Sequence, residues 1–78
     1  MKYTDMQRIE RILEYTEKLL KYIKEKMIDK KQLMDDYTIQ WAVATPLYNI
    51  GEHVYNLSDE FKTAHSEVKW HAIADLNI

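Results

Sequence analysis

Side chains that suit a helix core recur every three or four residues along the first third of the chain. This spacing is that of one face of an α-helix. The first stripe consists of Met6, Ile9, Leu13, Thr16, Leu20, Ile23 and Met27. The second stripe lies beside it and consists of Ile12, Tyr15, Leu19 and Tyr22. Two adjacent stripes are wider than a two-stranded coiled coil requires, so we predict a helix that packs against more than one neighbour.

Capping residues predict where this helix begins and ends. Thr4 followed by Gln7 fits a capping box, and the helix should run to about Lys26. Residues 28–36 are mostly polar and predict a connection that leaves room for a short helical turn. Either Asp35 or Asp36 can cap the helix that follows.

A second long helix is predicted from Tyr37 onward. Its apolar stripe consists of Ile39, Val43, Leu47, Ile50, Val54, Leu57 and Phe61. Pro46 interrupts the stripe, and we expect packing to carry the helix through it with a bend. Gly51 lies in the interior of this helix, where a glycine suggests close approach of another helix.

The last part of the chain predicts a turn and a short third helix. Residues 62–65 are the predicted turn, Ser66 the predicted cap, and Trp70 the anchor of the helix. One glycine and one proline in 78 residues argue against a β-rich fold. We therefore predict one all-α domain over residues 1–78, an antiparallel helical bundle of two long helices and one short helix.

Composition excludes several other classes of protein. The chain has no cysteine for disulfides, no apolar signal segment, and an apolar run no longer than residues 41–44, so it predicts a cytoplasmic protein without a membrane span. Six lysines crowd residues 18–31, which fits RNA contact as well as an ordinary solvated helix. A single core of this size is marginal, so we expect a homodimer.

An ordered set of residues in the second half of the chain resembles the HepT-like family, which has the HEPN fold. The set consists of Gln40, Ala42, Val43, Ile50, Gly51, Glu52, Leu57, Ser58, Glu60, Phe61, His65, Glu67, Val68 and Trp70. The chain departs from the family pattern at Thr45-Pro46, where an Arg-Asn pair is common, and at Ser66, where proline is usual. The family's catalytic Arg, His and the Tyr that follows them match no residue up to Ile78.

The resemblance implies a four-helix bundle, here expected to lack its closing C-terminal helix. It also implies descent from metal-independent ribonuclease toxins, in which Arg holds the phosphate and His transfers protons. A minimal nucleotidyltransferase is the implied antitoxin partner. The resemblance supplies no catalytic, cofactor or metal residue in this chain, and it indicates Gly51, Glu52 and Trp70 as candidates for cleft or partner contact.

Three interpretations of function follow, and the sequence leaves open whether the chain is an enzyme. The first is a truncated or degenerate HepT-like protein that acts as a binding or assembly module. The second is the N-terminal fragment of an active ribonuclease toxin, and the third is an unrelated helical adaptor. His71, with Glu67 and Asp75 four residues to either side, could bind a weak metal, but a solvated charged face is the favoured interpretation.

Overall fold

The computed structural model describes residues 3–75, and these form five α-helices and no strand. The helices are α1 (Asp5–Glu25), α2 (Lys30–Asp35), α3 (Tyr37–Tyr55), α4 (Asp59–Ala64) and α5 (Trp70–Ala74). The prediction of an all-α bundle with two long helices is confirmed. The structure adds two short helices, α2 and α4, to the three that the sequence predicted.

Local hydrogen bonds fix both ends of α1. Thr4 Oγ1 accepts from the Gln7 backbone N–H at 3.1 Å, and Gln7 Oε1 accepts from the Thr4 N–H at 2.9 Å, so the predicted capping box is confirmed. At the other end Met27 has φ 52°, and the Ile28 N–H reaches back to the Ile23 carbonyl at 3.0 Å. This Schellman arrangement usually has glycine at the left-handed position, and here methionine occupies it.

The connection between the long helices is ordered by its own caps. Asp29 and Gln32 form a second capping box, which makes α2 a helix rather than an irregular connection. Asp36 is the residue that caps α3, because its Oδ1 accepts from the Thr38 N–H at 2.9 Å. The Gln40 amide then donates to the Leu33 carbonyl at 2.9 Å, which joins the end of α2 to α3.

The helix α3 continues through Pro46, as predicted, but it ends earlier than its apolar stripe suggested. It stops at Tyr55, and Ser58 begins α4 by accepting from the Phe61 N–H at 3.1 Å. The predicted turn over residues 62–65 is therefore wrong, since residues 62–64 belong to α4. The prediction that Ser66 caps the last helix is also wrong. The last helix begins at Trp70 after Lys69, which makes no capping hydrogen bond.

The helix α3 is the element against which α1, α2 and α5 pack. The start of α1 meets the end of α3, where Ser58 donates to Asp5 through its N–H at 2.8 Å and through its Oγ at 2.6 Å. The two long helices are therefore antiparallel. The fully buried residues of the described chain lie at the end of α3 and just after it, and they are Ile50, Gly51, His53, Val54 and Leu57.

Within residues 3–75, no helix combines the length and the apolar character that crossing a bilayer requires.

The Ser58 hydroxyl should matter to stability, whereas the Ser66 hydroxyl should not. Ser58→Ala removes the cap of α4 and the Oγ contact with Asp5, so we expect a loss of about 1 kcal/mol or more in the free energy of unfolding. Ser66→Ala is the matched control at an exposed turn position and should stay within about 0.5 kcal/mol of the parent chain. Urea unfolding measures both. Equal losses would contradict the cap assignment.

Candidate functional site

Two of the residues that match the family pattern lie next to each other in α3 but in different surroundings. Gly51 is buried within the helix packing. Glu52 is half-buried, and its Oε1 accepts from the Asn56 amide at 3.3 Å. The same Asn56 amide donates to the Glu52 carbonyl at 2.9 Å, so the Glu52 carboxylate lies beside the C-terminal cap of α3.

Trp70, the third candidate residue, anchors the last helix to the turn before it. Its Nε1–H donates to the His65 carbonyl at 3.0 Å, and its ring centroid lies 5.9 Å from that of Phe61. The indole is half-buried, and its one polar atom has a partner. These contacts give Trp70 a packing role at the start of α5, which itself packs on α3.

A cluster of side chains around His53 lies between the two long helices, and the sequence analysis did not predict it. His53 is only 9% exposed, and its Nδ1 lies 3.2 Å from Nη1 of Arg8. Arginine can only donate, so Nδ1 accepts and the ring carries its proton on Nε2. The Tyr3 ring meets the His53 ring edge-on at 5.2 Å, and Tyr15 lies on it at 6.3 Å. The one sequence signal was the position of His53, three residues from Ile50 on the buried face.

The surroundings of His53 favour its neutral form. Burial lowers the pKa of His53 below its ordinary value of 6.5, and the charges of Arg8 and Arg11 lower it further, against a smaller opposing effect of Glu52. The Arg8 guanidinium lies 5.4 Å from the centroid of the Tyr3 ring, which holds it in this position. A neutral, enclosed imidazole whose Nδ1 is occupied by arginine is a packing group, because a catalytic histidine must reach its substrate.

The other two histidines lie on the surface at the far end of the described chain. His65 Nδ1 is 3.7 Å from a Glu67 carboxylate oxygen, and its ring packs against Phe61 at 4.6 Å. His71 is exposed on α5. In the part of the chain that the structure describes, no group of three or more His, Asp or Glu side chains is placed to bind a metal ion. The favoured interpretation of the residues around His71, a solvated charged face, stays a prediction.

A cavity of about 620 Å³ opens beside the last helix. Lys62, Lys69 and His71 line it together with Asp59, the candidate residue Trp70 and several small side chains. The Lys62 ammonium is engaged, since Nζ donates to the Tyr55 carbonyl at 3.1 Å. The cavity is an open groove on the surface and contains no convergent set of catalytic groups.

Two rows of apolar side chains are exposed on the long helices. We call the first the α1 stripe, and its members are exposed by 55% to 83%: Met6, Leu13, Leu20 and Met27. We call the second the α3 aromatic stripe, and its members are exposed by 52% to 67%: Tyr37, Trp41, Tyr48 and Tyr55. Large exposed apolar patches mark docking sites more often than accidents of folding. The predicted core stripe of the first helix is thus only partly correct, because four of its seven members face outward.

The chain as a whole exposes more surface than its mass explains. Its accessible surface is 6351 Å², whereas a monomeric protein of 9.4 kDa exposes about 5,000 Å². Its radius of gyration is 13.9 Å, compared with about 11.5 Å for a compact domain of this length. The two exposed stripes belong to an elongated body, with extents of 40, 23 and 20 Å.

The buried imidazole predicts a specific loss of stability in mild acid. Because the pKa of His53 is lowered in the folded chain, the unfolded chain takes up a proton first as the pH falls below 6.5. The free energy of unfolding should therefore be highest above pH 6.5 and decrease between 6.5 and the lower native pKa. Urea unfolding at several pH values measures this. His53→Gln should remove the decrease and the surface control His71→Gln should retain it; a decrease that persists in His53→Gln would refute the assignment.

Comparison with known proteins agrees with the fold and with the sequence pattern. No curated protein and no solved structure gives a match to the chain. A family model described as ribonuclease HepT-like matches residues 8–77, which span α1 to α5 and therefore nearly the whole chain. The resemblance first seen in the second half of the sequence thus extends to the first helix. The chain belongs to the HepT-like ribonuclease family.

Proposed function

We propose that this chain acts as a binding or assembly module of the HepT-like type and does not cleave RNA through its own residues. The observation that carries the proposal is that the one histidine in contact with an arginine, within the described residues, is buried between helices. Within residues 3–75 that contact is Arg8 with His53; the imidazole is buried, and burial lowers its pKa. The RNA cleavage that the family resemblance implies uses a histidine that reaches the ribose and the leaving oxygen.

The remaining basic residues do not replace that pair. The chain has two arginines, Arg8 and Arg11, and the second forms an ion pair with Glu14 at 3.4 Å. His65 contacts Glu67, and His71 stands on the short last helix. In the described part of the chain neither of these histidines contacts an arginine that could hold a phosphate. An enzyme of this chemical class needs both groups at one phosphate.

The two exposed stripes support the proposal that the chain binds a partner protein. A chain that has about a quarter more surface than its mass predicts, and two exposed apolar rows, gains stability when a partner covers those rows. Aromatic side chains contribute strongly to such contacts because they bury a large area and have few rotatable bonds. The α3 aromatic stripe has this composition, and Trp41 packs edge-on against Tyr37 at 4.8 Å.

The partner that fits this proposal is a minimal nucleotidyltransferase, the antitoxin counterpart in toxin–antitoxin pairs of this family. The α3 aromatic stripe is the surface that we assign to it. We further propose that both proteins work in the cytoplasm, which the absence of cysteine supports. RNA contact through the lysines of residues 18–31 is secondary, since Lys18 and Lys21 already pair with glutamates on α1.

Purified chain should not cleave RNA. We expect no products above the buffer control when it is incubated with a mixed single-stranded RNA without metal, because residues 3–75 hold no accessible His–Arg pair. His53→Gln and His71→Gln serve as matched controls that each remove one imidazole. An RNA-cleaving activity that co-purifies with the folded chain and is lost in either variant would refute the proposal and favour a ribonuclease.

Partner binding should depend on the α3 aromatic stripe. Tyr48→Lys places a charge in the middle of the stripe and should weaken binding of the nucleotidyltransferase by about tenfold or more. Thr63→Lys adds the same charge at an exposed position of α4 and should leave binding unchanged. Calorimetric titration of the purified proteins measures both. Equal affinities for the two variants would show that the partner uses another surface.

A further inference from the structure

Another cavity, of about 230 Å³, opens between the two long helices, and we call it the α1–α3 groove. Tyr15, Leu19 and Tyr22 form its α1 wall, and Ala42 and Pro46 form most of its α3 wall. The three α1 residues are half-buried and recur every three or four residues, so they belong to one face of the helix. The groove is open because these large side chains face the small side chain of Ala42.

The size of the α1–α3 groove fits one large aromatic side chain. An apolar cavity of about 150 Å³ in a protein interior holds one benzene molecule. A groove of about 230 Å³ therefore has room for the two fused rings of an indole. Drug-sized molecules usually occupy pockets of about 300–1,000 Å³, so a single side chain of a partner protein matches this groove better. Tryptophan is also among the side chains that contribute most to binding at protein interfaces.

One polar atom of the α3 wall lacks its usual helical partner. In an α-helix each carbonyl accepts from the N–H four residues later. Pro46 has no N–H, so the Ala42 carbonyl loses that donor. Ala42 is exposed and both residues line the groove, so this acceptor lies at the groove wall. An indole N–H can donate to it, whereas a purely hydrocarbon ring cannot.

The charges around the α1–α3 groove favour an acidic partner segment. Among the described residues that line it, Lys18 is the one charged residue, and its side chain is 73% exposed. The α3 wall adds no charge, because residues 37–51 contain no Asp, Glu, Lys, Arg or His. Glu14 pairs with Lys18 at 3.1 Å and with Arg11 at 3.4 Å, so this group of two cations and one carboxylate stays positive. A carboxylate beside the anchoring ring would therefore be attracted to Lys18.

The α1–α3 groove continues into the α3 aromatic stripe. Thr45 lines the groove, and it lies four residues after Trp41 and three before Tyr48. Residues at these spacings are neighbours on a helix surface. The Thr45 hydroxyl donates to the Trp41 carbonyl at 3.3 Å, which places its side chain between the two surfaces. A partner that covers the stripe would therefore reach the groove with an adjoining side chain.

From these observations we propose that the α1–α3 groove receives a tryptophan side chain of the partner protein, from a segment in which acidic residues flank the tryptophan. The indole ring fills the groove, its N–H donates to the Ala42 carbonyl, and a flanking carboxylate pairs with Lys18. The inference rests on the proposed function of the chain as a binding module. It adds the chemistry of the segment that the partner must present.

Short peptides test the groove without the complete partner. The blocked peptide Glu-Trp-Glu should bind the purified chain with a dissociation constant on the order of a millimolar, as expected for so small a ligand. Lys-Trp-Lys should bind several-fold more weakly because its charges repel Lys18. Glu-naphthylalanine-Glu should also bind more weakly, since its ring cannot donate to the Ala42 carbonyl.

Nitrogen-15 NMR measures these affinities and locates the peptide. The backbone amide shifts should be largest at Leu19, Tyr22, Ala42 and Thr45, which line the groove. Equal affinities for the three peptides would overturn the proposal. Shifts confined to another surface of the chain would overturn it as well.

Two alanines provide a matched pair of variants. Ala42→Leu fills the groove and should weaken binding of Glu-Trp-Glu by about tenfold or more. Ala64→Leu makes the same change at an exposed position of α4 and should leave binding unchanged. Both positions are exposed, so both variants should fold, which circular dichroism checks. Undiminished binding to Ala42→Leu would overturn the groove as the site.

Two further variants separate the polar contacts. Pro46→Ala restores an N–H for the Ala42 carbonyl, so the thermal midpoint should rise and the preference for tryptophan over naphthylalanine should disappear. Lys18→Gln should remove the preference for Glu-Trp-Glu over Lys-Trp-Lys and keep the preference for tryptophan. If both variants keep both preferences of the parent chain, neither group contacts the peptide and the proposal is overturned.

The complete partner separates this inference from the proposed function. Ala42→Leu should weaken binding of the nucleotidyltransferase by about tenfold or more, and Ala64→Leu should not. Unchanged affinity in Ala42→Leu with weakened affinity in Tyr48→Lys would overturn the groove and support the proposed function. A nucleotidyltransferase that does not bind the parent chain, while Glu-Trp-Glu binds selectively, would refute the proposed partner and support the groove.

A second copy of the chain is the competing occupant of the groove. Sedimentation equilibrium of the parent chain and of Ala42→Leu, each without a partner, distinguishes the two. The proposal predicts the same oligomeric state for both. A change of oligomeric state in Ala42→Leu, with none in Ala64→Leu, would assign the groove to a second copy and overturn the proposal.

Discussion

The packing around the last two turns of α3 is the constraint on which the rest of the described structure depends. Gly51 and Val54 are buried there, and Val54 is only 1% exposed. The helices α1, α2 and α5 all pack on α3, and the Arg8–His53 contact and the Asp5–Ser58 hydrogen bonds attach the start of α1 to its end. Hydrogen bonds from Ser58 also hold the pKa of Asp5 below its ordinary value of 3.8. Because this core is small, most of the surface of the long helices is left to solvent.

Features that short-range chemistry determines could be predicted from the sequence. The Thr4 capping box was predictable, and the start of α3 was predictable to within Asp35 or Asp36, since each depends on residues within one turn. The passage of α3 through Pro46 was predicted from the packing of its long apolar face. Helical periodicity also gave the two long helices. The same periodicity could not tell which stripe of α1 faces α3, because an interface stripe and a core stripe have the same spacing.

Features that depend on contacts distant in sequence were missed. The break between α3 and α4 follows from Ser58, which a carboxylate 53 residues away holds in place. The burial of His53 depends on Arg8, 45 residues away, and no local pattern pairs the two. Of the candidates from the family pattern, Gly51 lies in the core, and Trp70 holds α5 to its preceding turn. Their role in partner contact stays a prediction.

The central claim is that the one histidine–arginine contact of the described chain is part of the packing between α1 and α3 and takes no part in RNA cleavage. Nitrogen-15 NMR of the His53 ring tests this most directly, in the presence and absence of RNA. The account predicts that Nε2 carries the proton, that Nδ1 is unprotonated, and that the pKa of His53 is below 6.5. The ring signals should not shift when RNA is added. A ring that protonates above pH 6.5, or whose signals shift when RNA is added, would contradict it.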